Sequence, residues 1–139
     1  MKRKILIVDD ETDLLDILRH IFSQKGWSVA TAKDGRSALE LVSEFEPDVV
    51  LTDVSMPHMN GIDFLKAMFN RNSEIPVIFL SAFRDLNSMQ LAWSYGAFDF
   101  LDKPFDADKM LQLAENAYEY GADYVRSSRK RYFKMKRAS

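Results

Sequence analysis

The 139-residue chain has no cysteine, which rules out disulfide staples and thiolate metal sites. It has no apolar run near the roughly 18 residues that a bilayer span requires, so no membrane span is expected. The start Met1-Lys2-Arg3-Lys4 is positive, but the apolar run behind it stops at Asp9, too early for a secretory signal. A cytoplasmic protein is the default expectation. There is no internal repeat, Gly/Ser-rich linker or low-complexity segment. The length suits one domain, which buries roughly two thirds of its unfolded surface and needs no staple.

Charge of one sign is missing locally rather than overall. The net charge is −2, yet positions 126–139 carry seven basic residues and no acidic one. That leaves 12 basic against 21 acidic residues in positions 1–125, a net of −9. An acidic body therefore carries a basic tail, and the two are read separately.

Short apolar runs alternate with segments of helical period. The runs are Lys4-Ile5-Leu6-Ile7-Val8, then Trp27 to Ala32, Asp48 to Thr52, Ile75 to Leu80 and Phe98 to Leu101. Between them, Leu14, Leu15, Ile17, Leu18, Ile21 and Phe22 recur at the helical spacing and leave Asp13, Asp16, Arg19 and His20 outside. Further helices are expected over Ala38–Phe45, Ile62–Phe69, Asp85–Tyr95 and from Asp106 onward. The near-continuous third run suits a strand buried on both faces. Five β/α units with right-handed crossovers predict a doubly wound, three-layer α/β sandwich.

Polar residues close these runs. Asp9 and Asp10 end the first, Asp53 the third and Ser81 the fourth, and Lys103 follows the fifth. In parallel α/β sheets the carboxyl ends of the strands share one edge, where ligands bind. Three carboxylates meeting there repel one another and need positive charge nearby. With hard oxygen ligands only, Mg²⁺ or Mn²⁺ is favoured over zinc. Mg²⁺ takes few protein ligands and pairs with phosphate, so the pocket fits a metal awaiting a phosphoryl group. Lys103 and Ser81 would contact phosphoryl oxygens as a point charge and a hydroxyl donor.

The stretches Ile5-Leu6-Ile7-Val8-Asp9-Asp10-Glu11, Asp48 to Gly61, Ile75 to Ala82 and Gly96 to Phe105 stand in register. Over about residues 3 to 122 the chain resembles the receiver domains of bacterial two-component response regulators, of the chemotaxis single-domain type. The resemblance implies a flavodoxin-like five-stranded parallel sheet of order 2-1-3-4-5. It implies Asp53 as the phosphoacceptor from a histidine kinase or phosphotransfer protein. It also implies Asp9, Asp10, Asp53 and the Ser55 backbone carbonyl as the Mg²⁺ set, with Ser81 and Lys103 on the phosphoryl oxygens. Lys103-Pro104 resembles the family's cis peptide, and Phe100 occupies the aromatic switch position, coupled to Ser81. Output would pass through the face of the fourth helix, fifth strand and fifth helix. Ser55 and Phe83 hold positions that tune hydrolysis in the family. Phe83 offers no hydrogen bond to a water, so a long-lived phosphorylated form is expected.

The reading is of a signalling switch that assists its own phosphorylation and dephosphorylation, not a turnover enzyme. It would be a stand-alone receiver or the receiver part of a longer DNA-binding or enzymatic regulator. A haloacid-dehalogenase phosphatase would want an acid at position 55, where serine stands. A flavin or nucleotide binder would want a Gly-rich loop after the first strand, and none is there. A receiver-like interaction module without phosphorylation is opposed by the five occupied site positions. His20 and His58 read as solvated, and Met56, Met59 and Met68 as packing. Trp93 and Tyr95 read as core packing, with a partner patch as the alternative.

The boundary is placed after residue 122, leaving 123–139 as a basic helical extension or linker. The last helix could continue past Gly121 through Asp123-Tyr124-Val125, but glycine inside a helix costs about 1 kcal/mol relative to Ala, which makes a break or kink there the alternative. Beyond it the tail reads as a solvated extension or linker. The sharper readings are nucleic acid, an acidic membrane surface, or docking on an acidic partner or the acidic body. Without a helix-turn-helix, sequence-specific DNA binding is not expected.

Overall fold

A computed structural model describes residues 2–56, 59–81 and 85–138. The strands are β1 (Lys4–Val8), β2 (Ser28–Ala32), β3 (Val49–Asp53), β4 (Val77–Ser81) and β5 (Asp99–Asp102). The helices are α1 (Thr12–Gln24), α2 (Gly35–Phe45), α3 (Gly61–Asn70), α4 (Leu86–Ser94) and α5 (Ala107–Ala138). All strands pair in parallel in the order β2-β1-β3-β4-β5, the flavodoxin-like doubly wound sheet. The order reverses between β1 and β3, which puts the ligand crevice outside their carboxyl ends.

Alternation along each strand sorts its side chains onto two faces. Leu6, Val8, Val50 and Phe79 pack with Ala38, Phe64, Met68 and Ala92 beneath α2, α3 and α4. Ile5, Ile7, Leu51, Ile78 and Leu80 pack with Leu15, Leu18, Phe22, Met110 and Ala114 beneath α1 and α5. Strand β3 is central, and Val49 to Thr52 are all buried, as its unbroken apolar run predicts. In α1, Leu15, Leu18 and Phe22 are buried and Asp13, Asp16, Arg19 and His20 are exposed. Ile17 departs from the expectation: the stripe is narrower than the apolar spacing suggests, and this side chain faces solvent.

Local chemistry starts three of the helices. The Asp34 carboxylate accepts from Ser37 N–H at 2.8 Å, the Asn60 side chain accepts from Asp63 N–H at 2.8 Å, and Asp85 accepts from Ser88 N–H at 3.3 Å. Each such cap satisfies an orphan amide and contributes about 1 kcal/mol. Gly61 is required by a close approach: a Cβ there would stand 2.8 Å from the Phe79 ring and against the Asp53 carbonyl. Its N–H donates to the Val54 carbonyl at 2.8 Å, which seats α3 under the end of β3.

Of the two readings at Gly121, the helix continues without a break, and α5 runs on for 32 residues. The reason lies elsewhere in the fold. Gly121 passes directly over Pro76, and an added Cβ would come within 2.5 Å of the Pro76 Cβ. The missing side chain lets the helix cross the start of β4 at close range. Beyond it the tail is not wholly solvated. Val125 and Ser128 are buried, Arg126 pairs with Glu74 at 2.8 Å, and Arg129 donates to the Ser73 carbonyl at 2.7 Å. The Arg129 guanidinium also lies 5.2 Å from the Phe69 ring centre, where it is attracted to the π-face. Tyr132 meets Phe69 at 4.8 Å and Tyr95 at 5.6 Å. All these partners lie at the ends of α3 and α4 or just before β4. The extension therefore crosses the sheet at its amino-terminal edge, opposite the crevice.

Candidate functional site

Asp53 and Ser81 are the last residues of β3 and β4, one step inside the strands rather than just beyond them. Asp53 is in register with Leu80, and Ser81 with Asp102, so the ladder fixes where both side chains emerge. Asp9 follows β1 and its N–H donates to the Ala32 carbonyl at 3.1 Å, which extends the pairing by one residue. Lys103 follows β5, and its N–H donates to the Ser81 carbonyl at 2.8 Å. That bond ties the ammonium-bearing loop to the end of β4. The Lys103-Pro104 peptide is cis.

These placements bring the polar groups together. Lys103 Nζ lies 3.0 Å from Asp9 Oδ2, 3.4 Å from Asp53 Oδ2 and 4.0 Å from Glu11 Oε1. One carboxylate oxygen from each of Asp9, Asp10 and Asp53 falls within 4.8 Å of the others. Asp9 is 1 % exposed and still fully engaged, since its other oxygen accepts from Glu11 N–H at 2.9 Å. Asp10 is exposed at the mouth, and Asp53 lies between the two in burial.

The electrostatics follow from that crowding. Burial pushes the Asp53 carboxyl above the ordinary 3.8 and the neighbouring Asp9 charge adds to it, while Lys103 and the Ser55 N–H pull the other way. Burial works against the Lys103 ammonium, but its hydrogen bond to Asp9 and the attraction of Asp53 outweigh it, so the group is held above 10.5. Three carboxylates face one ammonium, which leaves about two negative charges unbalanced. A divalent cation with oxygen ligands fits that deficit, whereas no sulfur or imidazole ligand stands in the set.

The pocket is about 370 Å³, and Ile62, Met89 and Phe100 contribute to its apolar lining. Ser55 and Ser81 line it beside Asp53 and Lys103. The Phe100 ring is buried, stacked on Phe79 at 5.3 Å and met edge-on by Trp93 at 5.2 Å. The described candidates for the phosphoryl and metal site thus converge: Asp9, Asp10 and Asp53 as a cluster, Ser55, Ser81, Lys103 and Phe100 around it. Phe83, Pro57 and His58 lie outside the described residues. Two contributors escaped sequence reasoning. Glu11 also lines the pocket, its only signal being its place directly after Asp9-Asp10. Thr52 holds the turn from inside, its hydroxyl donating to the Asp53 carbonyl at 3.0 Å, and a threonine in an apolar run gives no sign of this.

Comparison with known proteins agrees with this geometry. The family model described as response regulator receiver domain matches residues 5–115. The chain is 39% identical over 116 residues to "Regulatory protein AtoC" of Escherichia coli (strain K12), which covers 84% of this chain and 25% of that protein. It is 37% identical over 110 residues to "Sporulation initiation phosphotransferase F" of Bacillus subtilis (strain 168), covering 79% and 89% respectively. A crystal structure of a response regulator receiver domain protein from Clostridium thermocellum superposes with a TM-score of 0.79 at 33% identity, covering 84% of this chain and 94% of that one. The chain thus spans a quarter of the length of one curated relative and most of another. With the family matched over most of its length and the acidic pocket formed where the strand order reverses, the chain belongs to the response regulator receiver domains, the phosphoacceptor switches of two-component signalling.

Proposed function

We propose that Asp53 is the residue that takes the phosphoryl group. The observation that carries this is the Asp9–Asp10–Asp53 cluster with Lys103 Nζ 3.0 and 3.4 Å from two of its members. An Asp53 oxygen bonds to phosphorus as the bond from phosphorus to the donor's imidazole nitrogen breaks, so the histidine of the kinase or phosphotransfer protein is released. Such a transfer needs positioning and charge neutralisation more than covalent help from the protein. Lys103 supplies one charge, and the Ser81 hydroxyl donates to a second phosphoryl oxygen. Asp9, Asp10, Asp53 and the Ser55 carbonyl would hold Mg²⁺, which when bound offsets the remaining negative charge of carboxylates and phosphoryl oxygens.

The raised pKa of Asp53 has the same origin as its reactivity: partial burial strips water from the carboxylate and leaves Lys103 to hold it. After transfer, Ser81 moves toward the phosphoryl group and vacates space beside Phe100. Phe100 has no hydroxyl, so its response is a change of packing against Phe79 and Trp93, not of hydrogen bonding. The face of α4, β5 and α5 then presents a different surface to a downstream partner. In this reading the protein is cytoplasmic and acts on no substrate but its own phosphoryl group. Residues 1–122 form the receiver, and 123–139 the extension. The quarter-length match to AtoC is equally compatible with a receiver belonging to a longer regulator.

Intact mass after incubation with Mg²⁺ and acetyl phosphate tests the assignment. The wild type should gain one phosphoryl group and Asp53→Asn none. An equal adduct on both proteins would move the acceptor elsewhere, and no adduct on either would leave an interaction module.

A further inference from the structure

Where the α5 extension passes the end of α4, the two helices leave a groove of about 520 Å³. Trp93, Tyr132 and Met135 form its apolar lining, with Ser94, Arg131 and Lys136 among its polar members. Five of its seven lining residues lie beyond 115, outside the stretch that matches the receiver family. It therefore belongs to this chain and not to the common fold. Its makers are unusually exposed for their type: Trp93 is 39% and Met135 72% accessible. Among the described residues no side-chain carboxylate lines the groove, although the body carries a large acidic excess.

We infer that this groove docks a short acidic segment of a protein partner, carrying one or two apolar anchor side chains between its carboxylates. The volume lies within the range of sites that bury small ligands or a few side chains. A flexible methionine beside two aromatic rings suits an apolar anchor of imposed shape. The flanking guanidinium and ammonium suit carboxylates and would repel a basic segment. A second copy of the extension is disfavoured, because pairing these tails would bring together two segments with seven basic residues each. Nucleic acid would meet Lys130, Lys134 and Arg137 instead, which line a separate concavity without an aromatic ring.

The groove is also wired to the phosphoacceptor pocket. One side of Trp93 lines the groove, and its ring meets Phe100, which lines the pocket with Asp53 and Ser81. A partner that fixes Trp93 and a phosphoryl group that shifts Phe100 act on the same contact, so phosphorylation of Asp53 should change the affinity for the partner. Docking itself does not require phosphorylation, whereas this coupling rests on the proposed role of Asp53.

A displayed random-peptide library selected on the full chain tests the inference, followed by anisotropy titration of the enriched peptides. The expected peptides carry leucine or an aromatic residue flanked by Asp or Glu, and Met135→Glu should weaken them at least ten-fold. Lys130→Glu with Lys134→Glu, four times larger in charge change but off the groove, should weaken them less than about three-fold. No enrichment, peptides without acidic residues, or equal loss in both variants would overturn the docking site, as would tighter saturable binding of a single-stranded DNA probe. Met135 and the two lysines are exposed, so the variants should fold as the wild type does. For the coupling, acetyl phosphate with Mg²⁺ should change the peptide affinity of the wild type several-fold and leave Asp53→Asn unchanged. A phosphorylated wild type, verified by mass, with unaltered affinity would refute the link through Trp93 while leaving the docking site standing.

Discussion

Replacing Gly121 by alanine sets two effects of opposite sign against each other. In an isolated helix the change would stabilise by about 1 kcal/mol, because glycine loses more backbone entropy on folding. In this fold the new Cβ would lie 2.5 Å from the Pro76 Cβ and 3.3 Å from its Cδ, against an ordinary carbon separation of about 3.5–4.0 Å. Pro76 has no rotamer with which to yield, and its carbonyl holds the Val50 N–H at 3.0 Å within the sheet. The helix must therefore retreat by roughly 1 Å, and overpacking of this kind costs about 1–3 kcal/mol. Retreat also strains the Arg126–Glu74 pair, worth about 0–1 kcal/mol at an exposed site. Taking about 2–3 kcal/mol of cost against about 1 kcal/mol of gain gives a net destabilisation of about 1–2 kcal/mol. Urea unfolding of Gly121→Ala and wild type, with equal m-values, measures it. A variant more stable by about 1 kcal/mol would show that propensity wins and that α5 does not press on Pro76.

Asp53→Asn should stabilise the metal-free protein at neutral pH. The folded carboxyl is raised above 3.8, so ionisation favours the unfolded chain, and its stabilising contribution, complete below that value, is lost as pH rises through the folded pKa. The stability gap between variant and wild type should thus widen from acid toward neutral pH in chemical denaturation, and a gap that narrows would refute the sign. Mg²⁺ should raise the melting temperature, by the equivalent of about 2.7 kcal/mol at a hundred times its dissociation constant, and Asp10→Asn should blunt the rise in a thermal titration. Phe69→Ala removes the ring shared by Tyr95, Tyr132, Phe133 and Arg129. Tryptic cleavage at Arg126 and Arg129 should then accelerate, and an unchanged rate would mean the extension is not held there.

The site was legible because its members punctuate apolar runs. Asp9, Asp53, Ser81 and Lys103 each sit where a strand pattern ends, and parallel pairing turns that one-dimensional position into a shared edge. The register sharpened it by one residue, placing Asp53 and Ser81 within the strands. The extension was left open between continuation and a break for the opposite reason. The cost of Gly121 is local and visible in the sequence, whereas its compensation is the Pro76 ring, a contact between distant segments. Ile17 fits the helical period as well as Leu18 does, and only the tertiary packing leaves it outside. Trp93 showed its aromatic character but not its two-sidedness, which depends on α4 lying between Phe100 and the tail.

The unbroken α5 makes the molecule a clasped rod. Its 32 residues span about 48 Å, and the 17 beyond Gly121 reach about 26 Å past the point where the helix bears on Pro76. Arg126, Arg129 and Tyr132 fasten the first part of that reach to Glu74, Ser73, Phe69 and Tyr95. Gly121 and Tyr132 thus grip the helix about three turns apart, and a rod held at two points cannot tilt about one without breaking contacts at the other.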